Sequence, residues 1–411
     1  MRRALFLALI LLIATAAYTL RPAAEPAVTP DLEQAREEPN AAGCVVSIAR
    51  GETGRADVFG ASSLTARGGR SEIGNGSVPI EQLTPSGPGY GLVELTTAGG
   101  AGVASSSDIA LTAATCSPAT RGTIALSGVS TANGHQVDLV LANPYALDAI
   151  IAVTTISEVG ADTAGELETL VVPAGAVVVR DLSRILPLRS HLSLVITPSQ
   201  GSVHAVVYET TGSDGRASEA VPGQDEWWVV MPDLPGVDRH LTIVSTSVGS
   251  EAFQMDLWAL DGLNEAAIDD VVPAGAQFDI PSAETGDAQA VRIISSNATV
   301  VALSMTGDGV LAGGPAAPGL FGRWLLAGAG ALPGSTIAWV FNPSPDSAQI
   351  TVSPVAGGDP IVVSIGGSAR AAVPLPSSAA GYVLDSSAPV AVAWTTLGVG
   401  LAYSPGVPLD G

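Results

Sequence analysis

The chain contains no lysine. All 17 basic residues are arginine, which excludes chemistry that runs through a lysine amine: Schiff-base catalysis, the phosphate-binding P-loop and the Ser-Lys dyad. Aromatic residues are scarce, at 4%, and Gly, Ala, Val, Ser and Thr dominate, which suits thin sheets faced by small side chains. There are two cysteines, Cys44 and Cys116, with no further donors spaced to complete a metal site. The four histidines, at 135, 191, 204 and 240, lie far apart without metal-ligand spacing. No Gly-x-Ser-x-Gly elbow is present to hold a serine nucleophile on a sharp turn. The glycine-rich stretches at 311–314 and 328–330 lack the strand-then-helix setting of a dinucleotide loop. They read as linkers or hairpin turns. These absences point to a non-enzymatic protein without a cofactor or resident metal.

Positive charge is in short supply as well. The net charge of −22 is distributed along the chain rather than gathered in a tail. A polyanion binds proteins through basic side chains that neutralise its phosphates, so nucleic acid is excluded as a partner. Anionic lipid headgroups are repelled for the same reason.

Long apolar runs are absent too, with one exception at the N-terminus. Arg2 and Arg3 precede an uncharged stretch over 4–20, closed by Arg21. Its length is at the lower limit for a spanning helix, and the basic end is expected inside. Residues 1–21 therefore read as a signal anchor, or as a signal peptide cleaved at the small-x-small site Ala14-Thr15-Ala16. The expected location is the cell membrane, single-pass with the bulk outside the cytoplasm, or secreted after cleavage. In that compartment the cysteine pair reads as one disulfide, Cys44 to Cys116, which stabilises by roughly 4 kcal/mol in the chain-entropy model. Residues 22–42 are rich in Pro, Glu and Ala and form a solvated spacer.

What remains is long enough for three or four domains and carries internal repetition. The hexapeptide Val-Val-Pro-Ala-Gly-Ala at 171–176 recurs unchanged at 271–276. Leu141-Ala142-Asn143-Pro144 matches Val340-Phe341-Asn342-Pro343. Trp227-Trp228 and Trp324-Leu325 open two repeats, with Trp228 matched to Trp324, and each pair is followed by Leu-Pro-Gly. Val137, Leu139 and Leu141 alternate with their neighbours, as do Leu192, Leu194 and Ile196. Such runs, bounded by Gly, Pro, Asn and Ser, are strands. The fold class is all-β: tandem β-sandwich repeats of immunoglobulin-like size. A disulfide-stapled β-domain spans 43–120, and three sandwich repeats span 121–222, 223–320 and 321–411. Residues 181–188 allow one helical turn. A propeller with two sheets per repeat is the runner-up architecture.

Few polar residues invite a functional reading. His204 sits where other copies carry valine and reads as a strand-face residue. Asp269-Asp270 reads as a polar lead-in to the strand at Val271, though with Asp261 or Glu265 it offers carboxylates of the kind calcium takes. Trp228, Trp324, Trp339 and Trp394 sit in strand patterns and read as core. Trp227, next to Trp228 and so on the opposite strand face, is the candidate exposed aromatic and possible ligand contact.

The N-terminal anchor, the paired early cysteines, the Asn-Pro turns at Asn143 and Asn342 and the terminal strand pattern at 383–393 resemble a group of uncharacterised actinobacterial secreted or membrane proteins. Those proteins are known as carriers of a domain of unknown function. The resemblance implies a cell-envelope location and supplies no catalytic residue. The expected role is therefore an envelope protein that presents β-sandwich repeats to envelope proteins or glycans. The alternatives are a carbohydrate-binding accessory of glycan assembly, motivated by Trp227, and a hydrolase with a dispersed acidic site.

Overall fold

Alternation in these strands turns into burial once they pair. In Ala149–Ser157 the side chains of Ala149, Ile151 and Val153 are buried while Ile150, Ala152 and Thr154 between them are half-buried. The computed structural model describes strands from Ala41 onward, with side chains over 120–409 plus Ala113 and Cys116. Residues 1–40, most connections before 120 and positions 213, 248, 308–309, 378–380 and 410–411 lie outside that description, and with them the leader and the spacer up to residue 40; residues 41–42 open the first strand. The strands belong to one unit, Asn40–Gly411, which is all-β with several sheets.

One connectivity is used four times. In the module after residue 120, one sheet runs Gly160–Asp162, Ala149–Ser157, Leu192–Gln200, Ile124–Val129, Val221–Pro222. Its companion runs Val177–Asp181, His135–Ala142, His204–Thr211, Asp214–Glu219. The same orders hold before residue 120, where Gly69–Ser71, Ala61–Ala66, Tyr90–Thr97, Ala41–Ser47 and Ser117–Pro118 form one sheet. Gly76–Pro79, Thr53–Val58, Ala101–Ser106 and Leu111–Thr115 form the other. In the third and fourth modules two neighbouring strands fuse into one long strand, Ala290–Gly307 and Tyr382–Leu397. The first half of each pairs in one sheet and the second half in the other. Successive strands at the start of every module thus lie in different sheets. The immunoglobulin arrangement sets strands A and B side by side in one sheet, so that subtype does not describe these modules.

The repeated turns work through identical contacts. Asn143 and Asn342 are fully buried. The Asn143 amide donates to Leu147 O (2.7 Å) and Val172 O (3.0 Å), and its oxygen accepts from Tyr145 N. Asn342 donates to Asp346 O (2.8 Å) and Gly366 O (3.0 Å) and accepts from Ser344 N. A buried amide with both ends satisfied fixes the chain where it leaves a strand. The expected helical turn is Leu182–Ile185, capped by Asp181, whose carboxylate accepts from Arg184 N.

Three expectations are corrected. Trp227 is 2% exposed, and its indole donates to Thr299 O at 2.8 Å. Trp324 donates in the same way to Val390 O. Trp227, rather than Trp228, is therefore the counterpart of Trp324. Both faces of Gln224–Val230 are covered at the tryptophans, because Trp228 packs against Trp258 (5.0 Å) and against Phe341 of the fourth module (6.2 Å). Alternation identifies opposite faces but exposes one only when water lies beyond it. The second correction concerns the glycine-rich stretch 311–314, which is part of a buried strand, Val310–Pro315; Gly328 and Gly330 do lie in a turn. Third, Asp269 and Asp270 lie inside the strand Gly262–Val272 rather than ahead of it.

The antiparallel ladder pairs Ala42 with Pro118 and Gly43 with Ser117, so the next step along it brings Cys44 opposite Cys116. Cys116 is buried and is not a free thiol. The Cys44 side chain lies outside the described residues.

The last strand of the second sheet in each module faces the middle of the unit Asn40–Gly411. Leu111–Thr115, Asp214–Glu219, Val310–Pro315 and Leu401–Pro405 pack in a closed cycle, each against two of the others. Ala113, Ala217, Ala312, Gly313, Leu401, Ala402 and Tyr403 meet there, and the gap between them has no room for a water molecule. Four strands converge this closely because alanine and glycine make up most of the facing positions, with Leu401, Tyr403 and Arg216 filling the rest. The arrangement is radial, as in a propeller, but each of its four units is a pair of sheets.

Candidate functional site

A buried ion cluster beside the axis and an open groove on the outer rim of the third module each combine polar groups with a defined geometry. The cluster is built on the inner strand Asp214–Glu219. Arg216 is 4% exposed and reaches out of its own module. Its Nε and Nη2 donate to Glu209 Oε2 at 2.9 and 2.5 Å, and its Nη1 donates to Ser304 Oγ of the third module at 2.6 Å. Nη2 also donates to Gly128 O, which accepts from Ser304 Oγ as well. His135 Nδ1 lies 2.6 Å from Glu209 Oε1. Burial alone raises the Glu209 carboxyl, but the Arg216 guanidinium and the His135 ring outweigh it and hold it below the usual carboxylate range.

Space for Arg216 comes from glycine. A Cβ on Gly313 would lie 2.3 Å from Leu303 O and 3.0 Å from Arg216 Nη1. One on Gly128 would lie 2.8 Å from Ser304 Oγ. All three guanidinium nitrogens of Arg216 donate to protein acceptors, and its position ties the second module to the third.

Further polar contacts cross the same seams. Ser193 Oγ donates to Gln277 Oε1 at 2.7 Å. Between the third and fourth modules Arg370 N donates to Gln289 Oε1 at 3.0 Å, and the Arg370 guanidinium bonds Met231 O and lies over Trp339. His191 and His240 stand 5.9 Å apart, one from each side of the seam between the second and third modules. His204 is buried, and burial pushes it down to about 4; it is a strand-face residue paired with Ala142. Among the described residues no three His, Cys, Asp or Glu side chains come together to hold a metal ion.

The groove is different in kind. It has a volume of about 450 Å³ and lies between the hairpin turn at Asp261 and Gly262 and the loop that follows the short helix Ser282–Thr285. Asp261, Asn264, Glu284 and Asp287 line it, over a floor that includes Leu257 and Ala288. Asp261, Glu284 and Asp287 are exposed to water. Asp269 and Asp270 lie farther along the strand that begins at this groove. The sequence pointed to Asp261, Asp269 and Asp270 but not to Glu284 or Asp287. A signal for the region was available in the charge count: residues 223–320 hold 14 acidic side chains and two arginines, a net −12 of the total −22.

Residues 83–225 match the model of a family of unknown function (DUF5719). The match spans less than half of the chain, covering the end of the first module and all of the second. Among curated proteins none matches. A solved structure described as the BSP domain of a biofilm-associated protein aligns over 90% of this chain and 93% of its own length, at 8% identity and a TM-score of 0.13. A likeness at that level carries no inference about this chain.

Proposed function

We propose that the protein is a non-enzymatic component of the cell envelope, tethered by its N-terminus, whose β-modules make contacts with envelope proteins or glycans outside the cytoplasm. One observation carries the reading: the β unit is closed where its inner strands meet, and its outermost strands pair on one side only. The axis is lined largely by small side chains and has no room for water, the Arg216 guanidinium is held by Glu209, Ser304 and Gly128 O, and strands such as Gly262–Val272 have a single partner. A rigid hub with free edges fits a protein that holds partners rather than one that encloses a substrate. Crosslinking in intact cells tests this. Recovered neighbours joined through rim residues of the modules support the framework, and a chain that yields none, at normal abundance, removes it. Sequencing the mature N-terminus separates a retained anchor from a leader cut after Ala16.

The hydrolase alternative has one observation in its favour, three carboxylates lining one groove. Glycoside cleavage also needs one of two carboxyls kept protonated by its surroundings, and all three here face open water. Reducing ends released from envelope glycan by the wild type, and not by Asp287→Asn, would establish it. The glycan-binding alternative loses its motive with the burial of Trp227.

A further inference from the structure

Sheet edges are normally blunted, because a free edge strand offers unpaired backbone groups to any other strand. In the first of their two sheets, three of the four modules follow that rule, with outermost strands Gly69–Ser71, the separate pieces Gly160–Asp162 and Leu170–Val172, and Ile361–Ile365, each of five residues or fewer. The second sheet of the fourth module ends in the seven-residue Ala369–Leu375. The first sheet of the third module has the longest edge. Its outermost strand, Gly262–Val272, has 11 residues and pairs on one side only, with Glu251–Ala259. A bulge divides it: Ala266 takes a positive φ and its N–H bonds the Asp256 carboxylate at 2.9 Å, with regular pairing on either side.

The side chains along this edge are of two kinds. Leu263 and Val271 are exposed apolar residues, and Leu260, at the hairpin tip, is 79% exposed. Glu265, Asp269 and Asp270 are exposed carboxylates, and Asp261, Glu284 and Asp287 line the groove at the strand's start. No basic residue lies on the strand. Charge of a single sign stops two copies from pairing edge to edge, since like charges would face each other across the new ladder. It favours a cationic strand by the same physics.

We propose that this rim of the third module is a docking site for an extended, basic segment of a partner protein, added as a further strand on Gly262–Val272 with a cationic side chain seated in the groove. The groove suits an arginine or lysine, whose apolar stem can lie on Leu257 and Ala288 while its charged head meets Asp261, Glu284 and Asp287. Main-chain pairing supplies affinity, and the acidic rim supplies selection. The proposal rests on the framework reading and names the chemistry of one partner.

The test uses the extracytoplasmic protein and two synthetic peptides, one alternating Lys with Val and one alternating Glu with Val. Calorimetry is expected to show salt-sensitive binding of the basic peptide, none of the acidic one, and a loss of about tenfold or more in the triple variant Glu265→Gln, Asp269→Asn, Asp287→Asn. Neutralising Asp162, Glu166 and Glu168 on the second module should leave affinity within about twofold. Hydrogen exchange should slow at the amides of 262–272 on binding. Equal loss in both triple variants, no added protection at those amides, or no binding of the basic peptide overturns the proposal. The framework reading survives any of these outcomes if in-cell crosslinks map to another module, and falls only when no neighbour is found.

Discussion

The inner and outer strands of these modules obey opposite rules. At the axis, Ala217, Ala312, Gly313 and Ala402 meet with no room for water, and Arg216, which lines the same gap, is held by Glu209, Ser304 and Gly128 O. At the rim, Gly262–Val272 carries exposed leucine, valine and carboxylates, of which Asp270 accepts from its neighbour's backbone, Val271 N, at 2.8 Å. Close packing makes the inner strands intolerant of added atoms. Water makes the outer strands tolerant of nearly any exchange. If the comparison is right, stability should respond steeply to changes at the first region and hardly at all at the second.

The largest effect is expected where charge is buried. Arg216→Met leaves the buried Glu209 with only the His135 ring beside it and should cost about 3–5 kcal/mol in urea unfolding. The double variant Arg216→Met, Glu209→Gln removes both charges and should recover a good part of that loss. A double variant no better than the single one would mean that packing of the guanidinium stem, and not the charge, holds the seam. Gly313→Ala comes next. The added methyl meets the Leu303 carbonyl, and the residue must also keep a φ of +155°, so a loss of about 3 kcal/mol is expected. A neutral result would show that the axis can spread.

A pH-dependent effect of similar size comes from His204. Burial holds it neutral down to about 4, whereas in the unfolded chain it takes up a proton below its ordinary value. Its folded pKa is the lower of the two, so its contribution is fully present above about pH 6.5 and is lost as pH falls toward 4, about 3 kcal/mol in all. His204→Val, which copies Val300 at the corresponding position of the third module, should flatten stability against pH over that window. Glu209, also held low, keeps its own contribution until more acid conditions.

Much of this was legible in the sequence, for reasons tied to particular residues. The Asn-Pro turns were readable because a buried asparagine amide needs partners, and both copies find them in the same places. Strand alternation was readable because each module has an inside. What the pattern did not reveal was which surfaces other modules cover. Trp227 and Trp228 alternate correctly, yet both are buried, because a neighbouring module replaces water on one face. Val310–Pro315 looked like a linker because its glycines and alanines lack the bulk that marks a strand, and the axis selects for that lack of bulk. The candidate rim was half legible. Asp261, Asp269 and Asp270 stood out, while Glu284 and Asp287 came beside Asp261 only through folding.

The smallest expected effect is the sharpest check on the comparison. Asp269→Asn and Asp270→Asn sit on the outer strand, exposed and opposite Gln254 and Phe253. Each should change unfolding free energy by no more than about 0.5 kcal/mol, and removal of like charge from a module at net −12 favours a slight gain. The acids would then be dispensable to the fold, and their concentration on one edge would need a cause outside it. A clear loss of stability would reverse that argument, because the carboxylates would be supporting their own strand. The rim would then be one more structural region, like the axis, with nothing to offer a partner.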